Sequence, residues 1–261
     1  MKDQVIWITG ASSGIGEALV RKYTAEGFRI ILSSRNLELL NQIKEASKSP
    51  ENLFVLPLDL NKPDSFVEIC EKAIAVFGKI DVLINNGGIS QRSLAAETAL
   101  SVDRKIMDVN FFGTIALSKA LLPHFLKNNQ GHFVVVSSLV GKFGSPYRSA
   151  YAASKHALHG FFDSLRAEQF KNNIHVTMVC PGFIKTKVSI NALTGDGSPL
   201  NKMDDAQEKG ISSDVCALEI FKAVNKKKEE VLIGGKEKYA VYLKRFFPAL
   251  FSRILRKAKV R

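Results

Sequence analysis

The chain has 261 residues, 46% hydrophobic and 24% charged, enough to bury the core of one large domain or two small ones. Its net charge of +12 is lopsided: residues 1–221 carry 24 Lys/Arg against 22 Asp/Glu, whereas residues 222–261 carry 13 against 3, so the body has no basic footprint for nucleic acid. Cys70, Cys180 and Cys216 are odd in number and far apart, which excludes a disulfide framework and offers no metal-ligand spacing.

Strand-like runs alternate with amphipathic stretches along the chain. "VIWIT" (5–9), "RIILSS" (29–34), "LFVLPLD" (53–59), "DVLINN" (81–86), "HFVVVSS" (132–138), "HVTMVC" (175–180) and "EVLIGG" (230–235) read as buried strands. Helical periodicity falls between them, near 14–26, 36–48, 63–77, 100–128, 151–171 and 212–226. This order predicts an α/β fold with a doubly wound, Rossmann-type parallel sheet of about seven strands, a single domain over 1–238. The irregular stretch 182–210 exceeds ordinary loop length and reads as a substrate loop. No apolar run of about 18 residues and no leader pattern are found, since "VIWITG" starts a strand at residue 5. With its unpaired thiols, the chain is expected to be cytoplasmic.

The extension 239–261 spaces Tyr239, Tyr242, Leu243, Phe246, Phe247, Leu250, Phe251 and Ile254 as on a helix, with Lys244, Arg245, Arg253, Arg256 and Lys257 elsewhere on the wheel. Pro248 is expected to kink it. Two readings stand: a stripe packed on the fold or a partner subunit, or peripheral association with an anionic membrane.

"TGASSGIG" (9–16) follows the first strand and opens the first helix. Gly10 permits the tight turn, Gly14 close approach of a pyrophosphate, and Gly16 close helix–strand packing; the helix start supplies N–H groups for phosphates. Tyr151 and Lys155, four apart in "YAASK", share one helix face. A phenol has a pKa near 10, so proton exchange near pH 7 needs about 4 kcal/mol of phenolate stabilisation. One ammonium about 4 Å away supplies roughly that at an effective dielectric of 20. The spacing therefore suits an acid/base pair, with Lys155 acidifying Tyr151.

The glycine spacing here is G-x-x-x-G-x-G. With "NNGG" (85–88), Ser138, "YAASK" (151–155) and "PGFIKT" (181–186), it resembles the short-chain dehydrogenase/reductase family over residues 5 to about 235. "RSAYAASKHAL" and "NALTGDGS" look like the member 7 subgroup. The departure is Gly87, where the family usually has alanine, and the lost methyl is expected to loosen that turn.

The resemblance implies an oxidoreductase that transfers a hydride between NADP(H) and a carbonyl or alcohol, working as a homodimer or homotetramer. Tyr151 would be its acid/base, Ser138 the holder of the carbonyl oxygen, Lys155 the grip on the nicotinamide ribose, and Asn110 the anchor of a proton-relaying water. Asn110 also has the plainer reading of a satisfied core amide. Ser137 rivals Ser138, whose lead of thirteen residues over Tyr151 suits the family. The cofactor contacts implied are Gly10, Ser12, Ser13, Gly14, Ile15, Gly16, Asn86, Gly88, Pro181, Gly182, Ile184 and Thr186, with Asp59 toward the adenine. Ser34 stands where NAD-using relatives carry aspartate, and Arg35 offers a guanidinium to a 2′-phosphate, so NADPH is expected over NADH. No metal is implied. The alternatives are an NAD-dependent alcohol dehydrogenase, or a dinucleotide-binding scaffold at a membrane surface that has lost turnover. Phe143, Tyr147, Phe183 and Val188 fall near the expected pocket or in the core, and His156 and His159 are expected to face a neighbouring helix or subunit.

Overall fold

A computed structural model describes residues 3–258; Lys259, Val260 and Arg261, the end of the basic extension, lie outside the described residues, as do Met1 and Lys2. The strands are β1 (Val5–Thr9), β2 (Arg29–Ser33), β3 (Leu53–Val55), β4 (Val82–Asn85), β5 (Gly131–Val136), β6 (Ile174–Pro181), β7 (Ile184–Lys185), β8 (Ile211–Ser212) and β9 (Glu230–Ile233). The helices are α1 (Gly14–Ala25), α2 (Leu37–Glu45), α3 (Phe66–Phe77), α4 (Leu100–Met107), α5 (Gly113–Lys127), α6 (Ser149–Glu168), α7 (Asp205–Glu208), α8 (Ser213–Asn225), α9 (Ala240–Phe246) and α10 (Pro248–Leu255).

Seven strands form one parallel sheet in the order β3-β2-β1-β4-β5-β6-β9. The order reverses between β1 and β4, which opens the ligand crevice of a doubly wound sheet at their carboxyl ends. Strand alternation feeds both faces. Ile6, Ile8, Ile30 and Leu32 pack with Leu19 and Tyr23 of α1 and Ile220 of α8. Val5, Trp7, Leu83 and Phe133 pack with Phe66 of α3, Leu121 of α5 and Phe162 of α6. Buried Trp7 donates its indole N–H to Ser33 Oγ at 2.8 Å, satisfying the polar atom that this core admits.

Three expectations shift, and a fourth, the kink at Pro248, is met. β3 stops at Val55, because Pro57 cannot donate to a ladder; the chain stays tied to β2 through Leu56 N–H to Leu32 O at 2.9 Å. Helix α2 ends at Glu45, short of 48. The stretch 182–210 is not irregular throughout: it holds β7 and α7, and Leu193 exchanges backbone bonds with Ser90 and Arg92 at 2.8 Å each. The extension breaks into two helices at Phe247, just before Pro248.

Helices α4 and α5 run on through a widened π turn, Asp108–Phe112, as one helix over Leu100–Lys127, long and apolar enough to cross a bilayer. Its inner face, however, is domain core: Ile106, Leu117, Leu121 and Phe125 are fully buried. The three thiols are free and buried.

Candidate active site

The glycine turn and the NNGG turn interlock at the switch point. Asn86 Nδ2 donates to Thr9 O at 3.1 Å and Gly10 O at 3.2 Å, while Thr9 Oγ1 accepts the N–H groups of Asn86 and Gly87, each at 3.0 Å. Gly87 does not loosen its turn, as the sequence suggested: these bonds fix it, and Leu60 Cδ1 fills the room, 2.8 Å from where an alanine Cβ would stand. Ser13 caps α1 by position only, with no side-chain bond to its first turn. Those N–H groups and the helix dipole suit a phosphate. Gly14 has φ +58, and a Cβ there would meet Thr186 Cγ2 at 3.0 Å, so "PGFIKT" arrives directly over the glycine turn.

Gly16 allows no side chain, since its Cβ would lie 2.1 Å from Gly10 O and 2.7 Å from Asn86 Nδ2. Gly16→Ala is expected to push α1 off this turn and abolish dinucleotide binding in a fluorescence titration, while circular dichroism still reports a folded sheet. Binding at the original strength would mean that the turn is not the phosphate seat.

At the adenine end, Ser34 Oγ accepts Asn36 N–H at 3.1 Å, and Asn36 caps α2 through Leu39 N–H at 3.0 Å. Arg35 is exposed, and among the described residues its guanidinium has no hydrogen-bond or ion-pair partner. Asp59 Oδ1 accepts Asn61 N–H at 3.0 Å, so part of its carboxylate shapes its own turn. Ile15 and Ile184 turn into the first core, leaving only their main chain for a ligand, and Ile184 O already accepts Gln207 Nε2 at 2.9 Å. Gly182 is crowded by Glu237, whose Oε1 accepts the N–H groups of Phe183 at 3.2 Å and Gly235 at 3.0 Å. Nothing near Glu237 in the sequence signals this role.

Ser138 and α6 close the opposite wall. Ser138 Oγ donates to Pro181 O at 3.3 Å and accepts Val140 N–H at 3.3 Å. Ser137, the rival, is buried and spent on Lys155 O and His159 Nε2, at 3.2 and 3.1 Å. Tyr151, half-buried, lies in the first turn of α6 with Lys155 one turn on; Lys155 Nζ is 5.7 Å from the Tyr151 ring centre and donates to Val136 O at 2.8 Å. Gly88 abuts both Asn110 Oδ1 and Lys155 Nζ, at 3.0 and 3.6 Å from its would-be Cβ. Asn110, in the π turn, clamps Ile89 through both amide atoms, at 2.8 and 2.9 Å, and donates to Ser154 Oγ at 3.0 Å. Its side chain is satisfied by the fold itself.

Charge reaches Tyr151 from more sources than the sequence suggests. Burial is the largest effect and pushes the phenol above its ordinary 10; Arg92, Arg148 and a hydrogen bond with Ser138 pull it down. Lys155 Nζ stays 5.7 Å from the Tyr151 ring centre while it donates to the Val136 carbonyl, and burial draws its own pKa down to about 8. The two arginines come from a cluster that the sequence did not reveal. Arg92 Nε meets Asp204 Oδ2 at 2.7 Å and Arg148 Nη2 meets the same oxygen at 3.2 Å, all three side chains buried. Gln91 Oε1 accepts Ala150 N–H at 3.0 Å, fastening the start of α6 to the same segment.

His159 faces inward, not toward a neighbouring helix or subunit. Its ring lies with Cys180 and Glu230, ligand-type atoms all within 4.8 Å. Cys180 Sγ approaches Nε2 at 3.7 Å while Glu230 approaches Nδ1 at 3.8 Å, and Lys142 already pairs with Glu230. Phe143 is buried under α10, its ring 5.1 Å from that of Phe251; Phe183 lies 5.9 Å from the Arg148 guanidinium; Tyr147 precedes Arg148 at φ +64, and Val188 is half-buried.

Comparison with known proteins agrees with this geometry. The short chain dehydrogenase family model matches residues 4–196. A Drosophila melanogaster dehydrogenase/reductase SDR family protein 7-like is 43% identical over 99% of this chain and 81% of its own length. Mouse dehydrogenase/reductase SDR family member 7B is 41% identical over 98% and 81%. The alcohol dehydrogenase of Thermococcus sibiricus, solved with 5-hydroxy-NADP, is 26% identical with a TM-score of 0.75, covering 89% of this chain and 97% of that one. A doubly wound sheet, a glycine turn at its switch point and a tyrosine–lysine helix beside it thus meet in one chain, which belongs to the short-chain dehydrogenase/reductase family of oxidoreductases.

Proposed function

We propose that the chain reduces a carbonyl group, or oxidises the matching alcohol, with NADP(H). The observation that carries this reading is the meeting of Ser138, Tyr151 and Lys155 beside the interlocked turns at the sheet's carboxyl edge. A bound nicotinamide dinucleotide supplies or accepts the hydride. The uncapped start of α1 and the crowded glycines suit its phosphates, and the solved relative from Thermococcus binds a nucleotide of the NADP type.

In the reduction, Ser138 turns its O–H from Pro181 O to the carbonyl oxygen, and Tyr151 gives that oxygen a proton as negative charge develops there. Burial keeps the phenol protonated, the form a donor needs. Lys155, fixed at Val136 O and next to Gly88, is the cation available to a ribose hydroxyl. Assembly as a homodimer or homotetramer belongs to the same proposal and is read by sedimentation.

Cofactor choice follows from Ser34 and Arg35. Without a carboxylate at 34 and with an unengaged guanidinium at 35, a 2′-phosphate meets attraction and no repulsion. NADPH is expected to bind at least about tenfold more tightly than NADH, the scale of one charge-assisted hydrogen bond. Ser34→Asp with Arg35→Ala should reverse the order. Titration of both nucleotides, followed by a screen of ketones and aldehydes with the tighter one, tests the reading. Equal affinities would refute the preference; no turnover across a broad carbonyl panel would favour a scaffold.

A further inference from the structure

The C-terminal helices have two apolar faces. On the inner one, Val241, Leu243, Phe251 and Leu255 pack on Leu139, Phe143 and Ala152, in the cluster that also holds Tyr151. On the outer one, Tyr239, Tyr242, Phe246, Phe247, Leu250 and Ile254 stand 48–68% exposed. Residues 238–258 contain six basic side chains (Lys238, Lys244, Arg245, Arg253, Arg256, Lys257) and no carboxylate. None of the six is in an ion pair among the described residues, whereas many basic groups elsewhere are paired. A patch of this kind on a folded chain marks an interaction surface.

We infer that the outer face of α9–α10 docks on an anionic lipid bilayer. Charge decides between occupants. A second copy laid face to face would oppose six cations to six with no acid to relieve them. A nucleic acid would use the charge and leave six large apolar groups in water. An anionic leaflet takes both, seating the rings at the acyl boundary and the basic groups among headgroups. Tyrosine and phenylalanine beside lysine and arginine suit that interface, and the inner face anchors the pair to the domain so that the outer face is presented already ordered.

The inference is independent of the catalytic proposal, and its test involves no turnover. The 261-residue chain is sedimented with phosphatidylcholine vesicles, with and without phosphatidylserine, at low and high salt. Binding is expected only with phosphatidylserine and should fall steeply with salt. Arg253→Glu with Arg256→Glu should lower partitioning about thirtyfold or more, the scale for losing two interfacial cations. Phe246→Ser with Phe247→Ser, at exposed positions that leave the core untouched, should also lower it strongly while NADPH binding is retained. Protein left in the supernatant with phosphatidylserine at low salt would overturn the inference. So would binding that neither double variant reduces. Loss of an oligomer in Phe246→Ser/Phe247→Ser with vesicle binding unchanged would reassign the face to a subunit contact and overturn it equally.

Discussion

Tyr151→Phe is expected to lower carbonyl turnover by about 10²–10⁴-fold, the range for removing a general acid, and to leave NADPH affinity nearly unchanged. The substitution removes one oxygen from the first turn of α6 and no packing volume. The ring stays in the cluster with Phe143 and Ala152, and the glycine turn lies on other elements. Ser138 remains to polarise the carbonyl, but with Tyr151→Phe no protein acid stands at hand to neutralise the alkoxide. Burial, the largest effect, raises the phenol and favours the protonated donor, while the arginines and Ser138 pull the other way. Stopped-flow reduction of a verified substrate, together with an NADPH titration, checks both halves. Near-normal turnover would remove Tyr151 from the chemistry, and parallel loss of turnover and binding would make it structural.

The parts of this site legible in the sequence are those whose geometry is local. Gly10 to Gly16 declare a strand–turn–helix within eight residues, and Tyr151 and Lys155 declare one helix face within five. The sheet was legible for the same reason: each strand is a short apolar run, and alternation with helices dictates parallel pairing. What remained hidden depends on partners remote in sequence. Arg92 and Asp204 lie 112 positions apart, in stretches with no periodicity to betray them. That cluster adds Arg92 and Arg148 to the charges acting on the phenol. The tail misled differently. Its hydrophobic spacing was visible, but residues on both sides of the helix pair are apolar, so only the packing of Phe251 on Phe143 tells inner from outer. Of that stripe, Leu243 and Phe251 pack on the fold, while Tyr239, Tyr242, Phe246, Phe247, Leu250 and Ile254 stay exposed.

Asp204→Asn tests the hidden cluster, and its expected effect is on stability. The side chains of Arg92, Asp204 and Arg148 are only 3%, 2% and 8% exposed, and both guanidiniums bond the same carboxylate oxygen. Asparagine keeps the shape and removes the charge, so two buried guanidiniums lose the carboxylate they share. Breaking a buried pair in this way costs about 3–5 kcal/mol, a large share of the roughly 5–15 kcal/mol that holds a domain folded. Burial and the neighbouring Arg92 draw the Arg148 pKa down while Asp204 holds it up, so losing the acid makes the buried cation costlier to keep. The damage should be local before it is global. Asp204 ties the 182–210 stretch to Arg92, and the segment holding Arg92 fastens the start of α6 through Gln91 and Ala150. Limited proteolysis is therefore expected to cut near 187–204 first, and urea denaturation to show the lowered midpoint. A double-mutant cycle gives the sharpest check: in an Arg148→Met background, one stranded cation is gone, so the further cost of Asp204→Asn should shrink. A cost under about 1 kcal/mol in the parent chain, the value of a solvated surface pair, would mean that water reaches the cluster. An equal cost in both backgrounds would mean that Arg92 alone depends on Asp204, leaving Arg148 to be held by the start of α6.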